Sequence, residues 1–309
     1  MTNTHRRAVV TGAAGFIGAR LADQLAAGGW EVLGIDSGRS GDWSRQTRRI
    51  NRWDADICDI DVDTWSEALE GVDVVFHLAA EKYNSSRSTP ARVIETNVTA
   101  TERLLRGAGL AGVGKTVFSS SLYAYGNLGP DPMDEEDLLH PVTVYGVSKV
   151  AGENLLRVAQ RDYGTAWSVA RLFFVYGPHQ HAEGGYPSVI VTHMRRIVAG
   201  EAPLIRGDGE QQLDYVYLDD AVDALIQLAE PDANGLTVNI GTGHGVSVNE
   251  LTERILEITG SDLRPISVEP DWTAGTRRVS QPRLAQQELG WRATTTLDEG
   301  LRKTWLEHR

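Results

Sequence analysis

The first twenty-five residues commit this chain to a fold class. An apolar run, Ala8-Val9-Val10, leads into Thr11-Gly12-Ala13-Ala14-Gly15-Phe16-Ile17-Gly18. Ala19-Arg20-Leu21-Ala22-Asp23-Gln24-Leu25 follows with apolar residues at helical spacing. A buried strand, a glycine turn and a helix N-terminus together make a site for a diphosphate. Glycine lacks Cβ, so backbone can approach the ligand, and the helix start offers unpaired N–H groups and a positive dipole end. A glycine-rich turn alone is commonplace; the strand before it and the helix after it give it meaning. Gly12, Gly15, Phe16, Ile17 and Gly18 are therefore candidate dinucleotide contacts.

A carboxylate about twenty residues further on completes that pattern. Trp30-Glu31-Val32-Leu33-Gly34-Ile35-Asp36 reads as a second strand ending in an acid. Asp36 there accepts hydrogen bonds from the adenosine ribose hydroxyls and repels a 2′-phosphate, which favours NAD over NADP. Arg39 argues the other way, because a guanidinium welcomes an extra phosphate.

Strand and helix patterns then alternate. Strands are expected at Val72–Leu78, Thr116–Ser121 and Ala166–Leu172, and helices at Thr96–Gly107 and Thr143–Arg161. Such alternation predicts an α/β fold, a Rossmann-like doubly wound parallel sheet covered on both faces. Beyond residue 172 the pattern loosens around Gly177-Pro178, Gly184-Gly185-Tyr186-Pro187 and Gly207-Asp208-Gly209, with helices expected at Val248–Thr259 and Leu284–Leu289. The expected division is a dinucleotide-binding domain over 1–172, with segments near 214–242 returning to it. Residues 173–309 would form mainly a smaller C-terminal substrate-binding lobe.

At 309 residues and 41% hydrophobic content, the chain has material for a large core. A net charge of −12 argues against nucleic acid, whose binding needs a basic face. The single cysteine, Cys58, rules out an intrachain disulfide and suits a reducing compartment. With no signal or spanning segment legible, the expectation is a cytoplasmic protein without membrane contact.

The second chemical signal is Tyr145-Gly146-Val147-Ser148-Lys149. Tyr and Lys four apart share a helix face, so an ammonium can favour the phenolate and lower the Tyr pKa toward that of a useful general base. Here the pair follows a strand ending in Ser119-Ser120-Ser121. With His77-Leu78-Ala79-Ala80, Thr96-Asn97-Val98, Tyr125-Gly126, Val175-Tyr176-Gly177-Pro178, Asp214-Tyr215-Val216-Tyr217-Leu218-Asp219-Asp220, Asn239-Ile240-Gly241-Thr242-Gly243 and Leu289-Gly290-Trp291, the chain resembles the extended short-chain dehydrogenase/reductases. Within them it is similar to the NAD-dependent nucleotide-sugar epimerase/dehydratase group, over essentially its whole length.

That resemblance implies roles. Ser121 hydrogen-bonds the reacting sugar oxygen, Tyr145 takes a proton from a ring hydroxyl, and Lys149 holds the nicotinamide ribose and tunes Tyr145. Asp56 and Ile57 match a pair that contacts adenine; Ala79, Ala80, Lys82 and Asn97 fall where the family lines the cofactor groove, although a solvated loop lysine is the plain alternative for Lys82. A homodimer through two helices, one carrying Tyr145, is also implied.

Departures from the family pattern bear on the reaction. Leu122-Tyr123 stands where 4,6-dehydratases carry Asp-Glu and decarboxylases a Glu at the second position, so elimination is disfavoured and decarboxylation weakened. Phe174 replaces an Asn, and Leu213 an Arg, that contact the nucleotide-sugar phosphates; losing a guanidinium removes a charge-assisted contact. Arg277 or Arg278, and Arg206, are candidates to compensate. The substrate-side set is thus Ser121, Tyr123, Phe174, Arg206, Leu213 and Arg277. The reading is a 4-epimerase acting on a UDP- or dTDP-linked sugar. The alternatives are a UDP-glucuronate decarboxylase or a 4-keto-sugar reductase on the same scaffold, and a non-enzymatic dinucleotide sensor. No metal is expected: His179-Gln180-His181 lacks a third ligand. Asp219-Asp220 is expected to supply a helix N-cap and a first-turn acid.

Overall fold

The computed structural model describes residues 6–126, 131–180, 188–270 and 273–307. The chain forms two compact units: Met1–Asn127 with Leu138–Arg171 and Val222–Val238, and Leu128–Asp137 with Leu172–Ala221 and Asn239–Arg309. The segment holding the short strand Met133–Asp134 thus belongs to the second unit, although the alternation pattern assigned it to the first. Its pairing with Ser280–Gln281 explains this. That contact, nearly 150 residues away in sequence, leaves no local signature.

The first unit is built on strands β1 (Arg7–Thr11), β2 (Glu31–Asp36), β3 (Asn51–Asp54), β4 (Val74–His77) and β5 (Lys115–Ser121). After β6 (Met133–Asp134) come β7 (Ala166–Leu172), β8 (Phe174–Tyr176), β9 (Leu204–Arg206), β10 (Gln212–Leu213), β11 (Tyr215–Tyr217) and β12 (Thr237–Ile240). One seven-stranded sheet runs β12-β7-β5-β4-β1-β2-β3. The pairs from β3 through β5 are parallel, with Val9 opposite both Leu33 and Val75. Strand order reverses between β1 and β4. In a doubly wound sheet the crevice beyond the carboxyl ends of those two strands is where ligands bind.

Helices α1 (Phe16–Ala27), α2 (Val62–Ala68), α3 (Ser85–Ser88), α4 (Pro90–Ile94), α5 (Ala100–Leu110) and α6 (Val144–Tyr163) belong to the same unit. Val9, Ile35, Trp65, Leu69, Val75, Leu104 and Ala108 form one face's core, each essentially inaccessible. Leu105, Phe118, Leu156, Trp167 and Val169 form the other. At about 25 cal/mol per Å² of apolar surface, two such layers supply most of what holds the unit together. The helix expected over Thr96–Gly107 differs: Glu95–Thr99 is a π turn joining α4 to α5. A single wide turn leaves the helical spacing of the sequence almost undisturbed, so only the backbone reveals it.

In the second unit, β8 pairs with β11, β9 with Ile266–Val268, and β10 with both Val246–Ser247 and Arg277–Arg278. Helices α7 (Val189–Val198), α9 (Val248–Thr259), α10 (Arg283–Glu288) and α11 (Leu297–Trp305) belong to it, while α8 (Leu218–Leu228) begins in this unit and continues from Val222 in the first. The second unit's core gathers Tyr176, Ile190, Met194, Leu213, Tyr215, Leu251, Ile255 and Leu301. Asp219 and Asp220 both lie in the first turn of α8, so the expected first-turn acid is present, and Asp220 has a further role. Its carboxylate accepts from the Thr294 N–H (3.3 Å) and hydroxyl (2.9 Å) and the Thr295 N–H (3.0 Å).

Candidate active site

Gly12 takes a left-handed backbone (φ 74°), which lets the chain leave β1 sharply. A Cβ on Gly12 would lie 2.9 Å from the Ala79 nitrogen, so the loops after β1 and β4 meet only because that atom is missing. Gly15 N-caps α1 without a side-chain hydrogen bond, and the first turn carries no acid. By contrast, α2, α6, α9 and α11 are capped by Asp61, Thr143, Ser247 and Thr296. The α1 start is thus the one among these left for an outside anion, with Phe16, Ile17 and Gly18 in its opening turn. A diphosphate fits it.

Asp36 lies at the end of β2 and accepts from the Ala14 N–H (3.0 Å) and the Gly38 N–H (2.8 Å). It fixes the glycine turn while keeping lone pairs for a ribose diol. Arg39, the group that argued for a 2′-phosphate, pairs with Asp56 at 3.0 Å. Arg92 pairs with the same carboxylate. Burial opposes ionisation there, but the Cys58 N–H and Arg92 hold the Asp56 carboxyl below its ordinary pKa. Asp56 is therefore an ion-pair hub, and the Ile57 side chain belongs to the core. Any adenine contact at this pair uses what those roles leave.

Ala79 and Ala80 are half-buried, and the Ala79 N–H donates to Thr11 Oγ1 (3.2 Å). Asn97 is buried and spent on support. Its amide donates to the Glu81 carbonyl (3.0 Å) and Ser148 Oγ (3.0 Å), and its Oδ1 accepts from the Glu81 N–H (2.8 Å). It holds the Ala79–Lys82 loop in place. Lys82 is solvent-accessible, yet partial desolvation, reinforced by the Arg45 charge, lowers its pKa. Arg45 was not legible as a site residue. Its Nη1 donates to the Ala14 carbonyl (3.3 Å), while its Nη2 is buried without a protein partner, which places a second cation on the phosphate turn.

The reactive side chains converge where α6 crosses the end of β5. Thr143 Oγ1 accepts from the Gly146 N–H (3.0 Å), a cap of about 1 kcal/mol that fixes where α6 begins. A Cβ on Gly152 would lie 2.4 Å from the Phe118 ring, so a larger residue would push the helix off the strand. This close approach brings the Tyr145 hydroxyl into a hydrogen bond with Ser121. Ser121 Oγ also accepts from the Tyr123 N–H (3.3 Å). Lys149 Nζ donates to the Ser119 carbonyl (2.8 Å) and lies 5.6 Å from the Tyr145 ring centroid.

The electrostatics differ from the sequence expectation. Burial pushes Tyr145 up to about 12, with the Ser121 hydrogen bond opposing it. Lys149 is driven down to about 8, again by burial, with Glu153 resisting. The cost of burying a phenolate outweighs what the Ser121 hydrogen bond offers it. Tyr145 therefore rests protonated.

Leu122 is buried. Tyr123 stacks on Tyr83 (4.5 Å between centroids) and meets Tyr145 edge-on (5.8 Å). The residues following the serine thus offer an aromatic wall in place of a carboxylic acid.

The remaining substrate-side candidates lie in the second unit. Leu213 is 8% exposed and packs in that unit's core, while Phe174 packs near Tyr215 (6.1 Å). Arg206 is exposed at the end of β9. Arg277 Nε donates to Gln212 Oε1 (3.1 Å). In register, Arg278 stands directly opposite Leu213, which puts a guanidinium-bearing residue beside the position where the Arg is missing. His179 Nδ1 lies 3.4 Å from Glu307, and His181 is outside the described residues, as are Gly184 to Pro187. Among the described residues no cluster of three His, Cys, Asp or Glu is arranged to hold a metal, and no helix is long and apolar enough to cross a membrane.

Such a constellation is suited to redox chemistry, and comparison with known proteins shows the family that the fold belongs to. Residues 8–241 match the NAD dependent epimerase/dehydratase family. The chain belongs to that family. It is 36% identical over 307 residues to a UDP-glucose 4-epimerase of Mycolicibacterium smegmatis, covering 96% of this chain and 97% of that one. The structure of a UDP-glucose 4-epimerase from Thermotoga maritima, solved with UDP-glucose, superposes with a TM-score of 0.91 at 35% identity, covering 97% and 98% of the two chains. A Thermus thermophilus UDP-glucose 4-epimerase solved with NAD gives 0.88 at 28% identity, covering 98% of this chain and 99% of that one. The cofactor of this family member is NAD.

Proposed function

We propose that this protein is an NAD-dependent 4-epimerase of nucleotide-diphosphate sugars, UDP-linked in the first instance and dTDP-linked as the second candidate. The observation that carries the reading is the Ser121–Tyr145–Lys149 arrangement, with Leu122 and Tyr123 beside it where elimination and decarboxylation enzymes use acids. Bound NAD supplies a hydride acceptor and returns the hydride, so oxidation at sugar C4 is transient. Ser121 Oγ is placed to hydrogen-bond the C4 oxygen. Tyr145 Oη takes the hydroxyl proton as the carbonyl forms and gives it back after the sugar has presented its other face. The Lys149 ammonium stabilises the phenolate while the proton is away. Gly12 to Gly18 and Asp36 hold the diphosphate and ribose, with Lys82 and Arg45 as flanking cations.

We also infer a homodimer. Ile94, Val142 and Val147 are 41%, 63% and 47% exposed, and with Pro90 and Pro141 they form one apolar depression along α4 and α6. A second copy of the same face is the occupant the family resemblance implies.

Incubating the purified protein with UDP-glucose, UDP-galactose, their N-acetylated forms, dTDP-glucose and UDP-glucuronate, and resolving products by NMR, tests the reading. The expected result is a C4-epimer at unchanged total NADH, abolished in Tyr145→Phe. Carbon dioxide from UDP-glucuronate, or stoichiometric NAD(P)H consumption, would overturn it in favour of the decarboxylase or ketoreductase.

A further inference from the structure

Tyr145, Lys149 and Glu153 recur at intervals of four on α6 and therefore share one face. Each meets one of the three consecutive serines that end β5. Tyr145 bonds Ser121, Lys149 donates to the Ser119 carbonyl (2.8 Å), and the Ser120 hydroxyl donates to Glu153 Oε1 (2.6 Å). Glu153 is also held by Arg171 on β7, through Nε to Oε1 (3.0 Å) and Nη2 to Oε2 (2.8 Å). Arg171 Nη1 in turn donates to the Tyr125 hydroxyl (2.9 Å). The side chains of Glu153 and Arg171 are 1% and 5% exposed, and Tyr125 is fully buried.

These bonds bracket Ser121. Ser120, just before it, is tied to α6, and Tyr125, just after the turn it opens, is tied to β7. We infer that Ser120, Glu153 and Arg171 are positioning residues for the reaction: they hold the serine strand at a fixed distance from Tyr145 and supply the counter-charge for Lys149. This inference rests on the function proposed above.

Energetics favour a role beyond stability. A buried ion pair is often no more stabilising than an apolar pair of the same volume, so the fold alone does not require one here. The charge balance is specific. Two buried cations, Lys149 and Arg171, face one carboxylate, Glu153. The excess positive charge lies at the end nearest Tyr145, where a phenolate forms. The other groups around Lys149 are the neutral His77 from β4, the Phe118 ring (5.0 Å) and the Ser119 carbonyl from β5, and Tyr145 on its own helix. None of these replaces the Glu153 charge.

Three variants of the NAD-loaded protein separate the two roles. Glu153→Gln keeps the shape and an acceptor for Ser120 but removes the charge. The alkaline limb of the kcat profile is expected to move to lower pH by about one unit, because Lys149 sheds its proton more readily. Ser120→Ala removes one hydroxyl and keeps every charge. Its kcat is expected to fall about 10-fold with KM and the alkaline limb unchanged, the signature of a displaced Ser121. Glu153→Asp should restore the limb but not the full kcat.

A substrate-free arm follows Lys149 by side-chain NMR titration, assigned by its loss in Lys149→Met. Glu153→Gln should lower its titration point and Ser120→Ala should leave it in place, whichever reaction the enzyme catalyses. An unmoved titration point overturns the counter-charge role. An unchanged kcat in Ser120→Ala overturns the tether, and does so even if Glu153→Gln does not fold. Losses confined to thermal stability would make the network structural only.

Discussion

Replacing Gly18 by Ala tests the packing on which the cofactor site depends. Gly18 is the third residue of α1. A Cβ there would lie 2.1 Å from the Gly12 carbonyl oxygen, 2.8 Å from its carbon and 3.1 Å from Ala13 Cα. All three obstacles are backbone, so no side chain can swing away. Ala is intrinsically better in a helix by about 1 kcal/mol, which works in the variant's favour. Against this, overpacking costs about 1–3 kcal/mol, and an immovable obstacle puts the cost at the upper end. The net expectation is a loss of about 2 kcal/mol, or about 4 °C in Tm for a chain of this size. Relief requires the helix start to move about 1 Å from the turn, which should weaken ADP-ribose binding by about 10- to 100-fold. Differential scanning calorimetry without cofactor and titration calorimetry with ADP-ribose read the two effects. Gly28→Ala, whose added Cβ meets nothing closer than 3.4 Å, is the control and should change neither. Wild-type Tm and affinity in Gly18→Ala would refute the close-approach argument.

Three further outcomes are expected. His77 is wholly buried between Thr11 Oγ1 (2.7 Å) and Thr101 Oγ1 (2.8 Å), and burial, then the Lys149 charge, lower its pKa from 6.5 to about 3. The unfolded chain therefore binds a proton between pH 6.5 and 3 that the folded one refuses, so stability falls as pH drops below 6.5. At pH 5 this amounts to about 2 kcal/mol, to be checked by urea unfolding at pH 5 and pH 7, and His77→Asn should flatten the slope. Asp36→Ala should weaken NAD binding by about 10- to 100-fold, through the lost ribose and turn contacts, and narrow the preference over NADP; an unchanged NAD/NADP ratio of dissociation constants would count against Asp36 as the selector. Ile94→Asp with Val147→Glu should yield a monomer by analytical ultracentrifugation, whereas an unchanged mass would place any dimer interface elsewhere.

Much of the scaffold was legible because its signals are local. The strand expected over Ala166–Leu172 and the helix over Val248–Thr259 have those bounds in the structure, and Asp36 ends its strand as expected. The Tyr145–Lys149 spacing fixed a shared helix face without any tertiary information. What stayed hidden depends on contacts distant in sequence. Asn97 sits in a recognisable motif, yet its amide is consumed by Glu81 and Ser148. Asp56 gathers Arg39 and Arg92 from separate segments. Leu213 marks a departure from the family pattern, but only the register of β10 shows Arg278 opposite it.

The sequence by itself determined the α/β class, the glycine turn into α1, the acid that ends β2 and the shared helix face of the tyrosine–lysine pair, because turns, caps and helix spacing are encoded within a few residues. Only the tertiary structure decided the charge state of that pair. Burial is set by everything packed around a group, so Tyr145 is pushed up to about 12 and Lys149 down to about 8 by neighbours that no local pattern announces. The same packing joins Ser120, Glu153 and Arg171 into one buried network across three elements. A chain read residue by residue shows three ordinary polar side chains there.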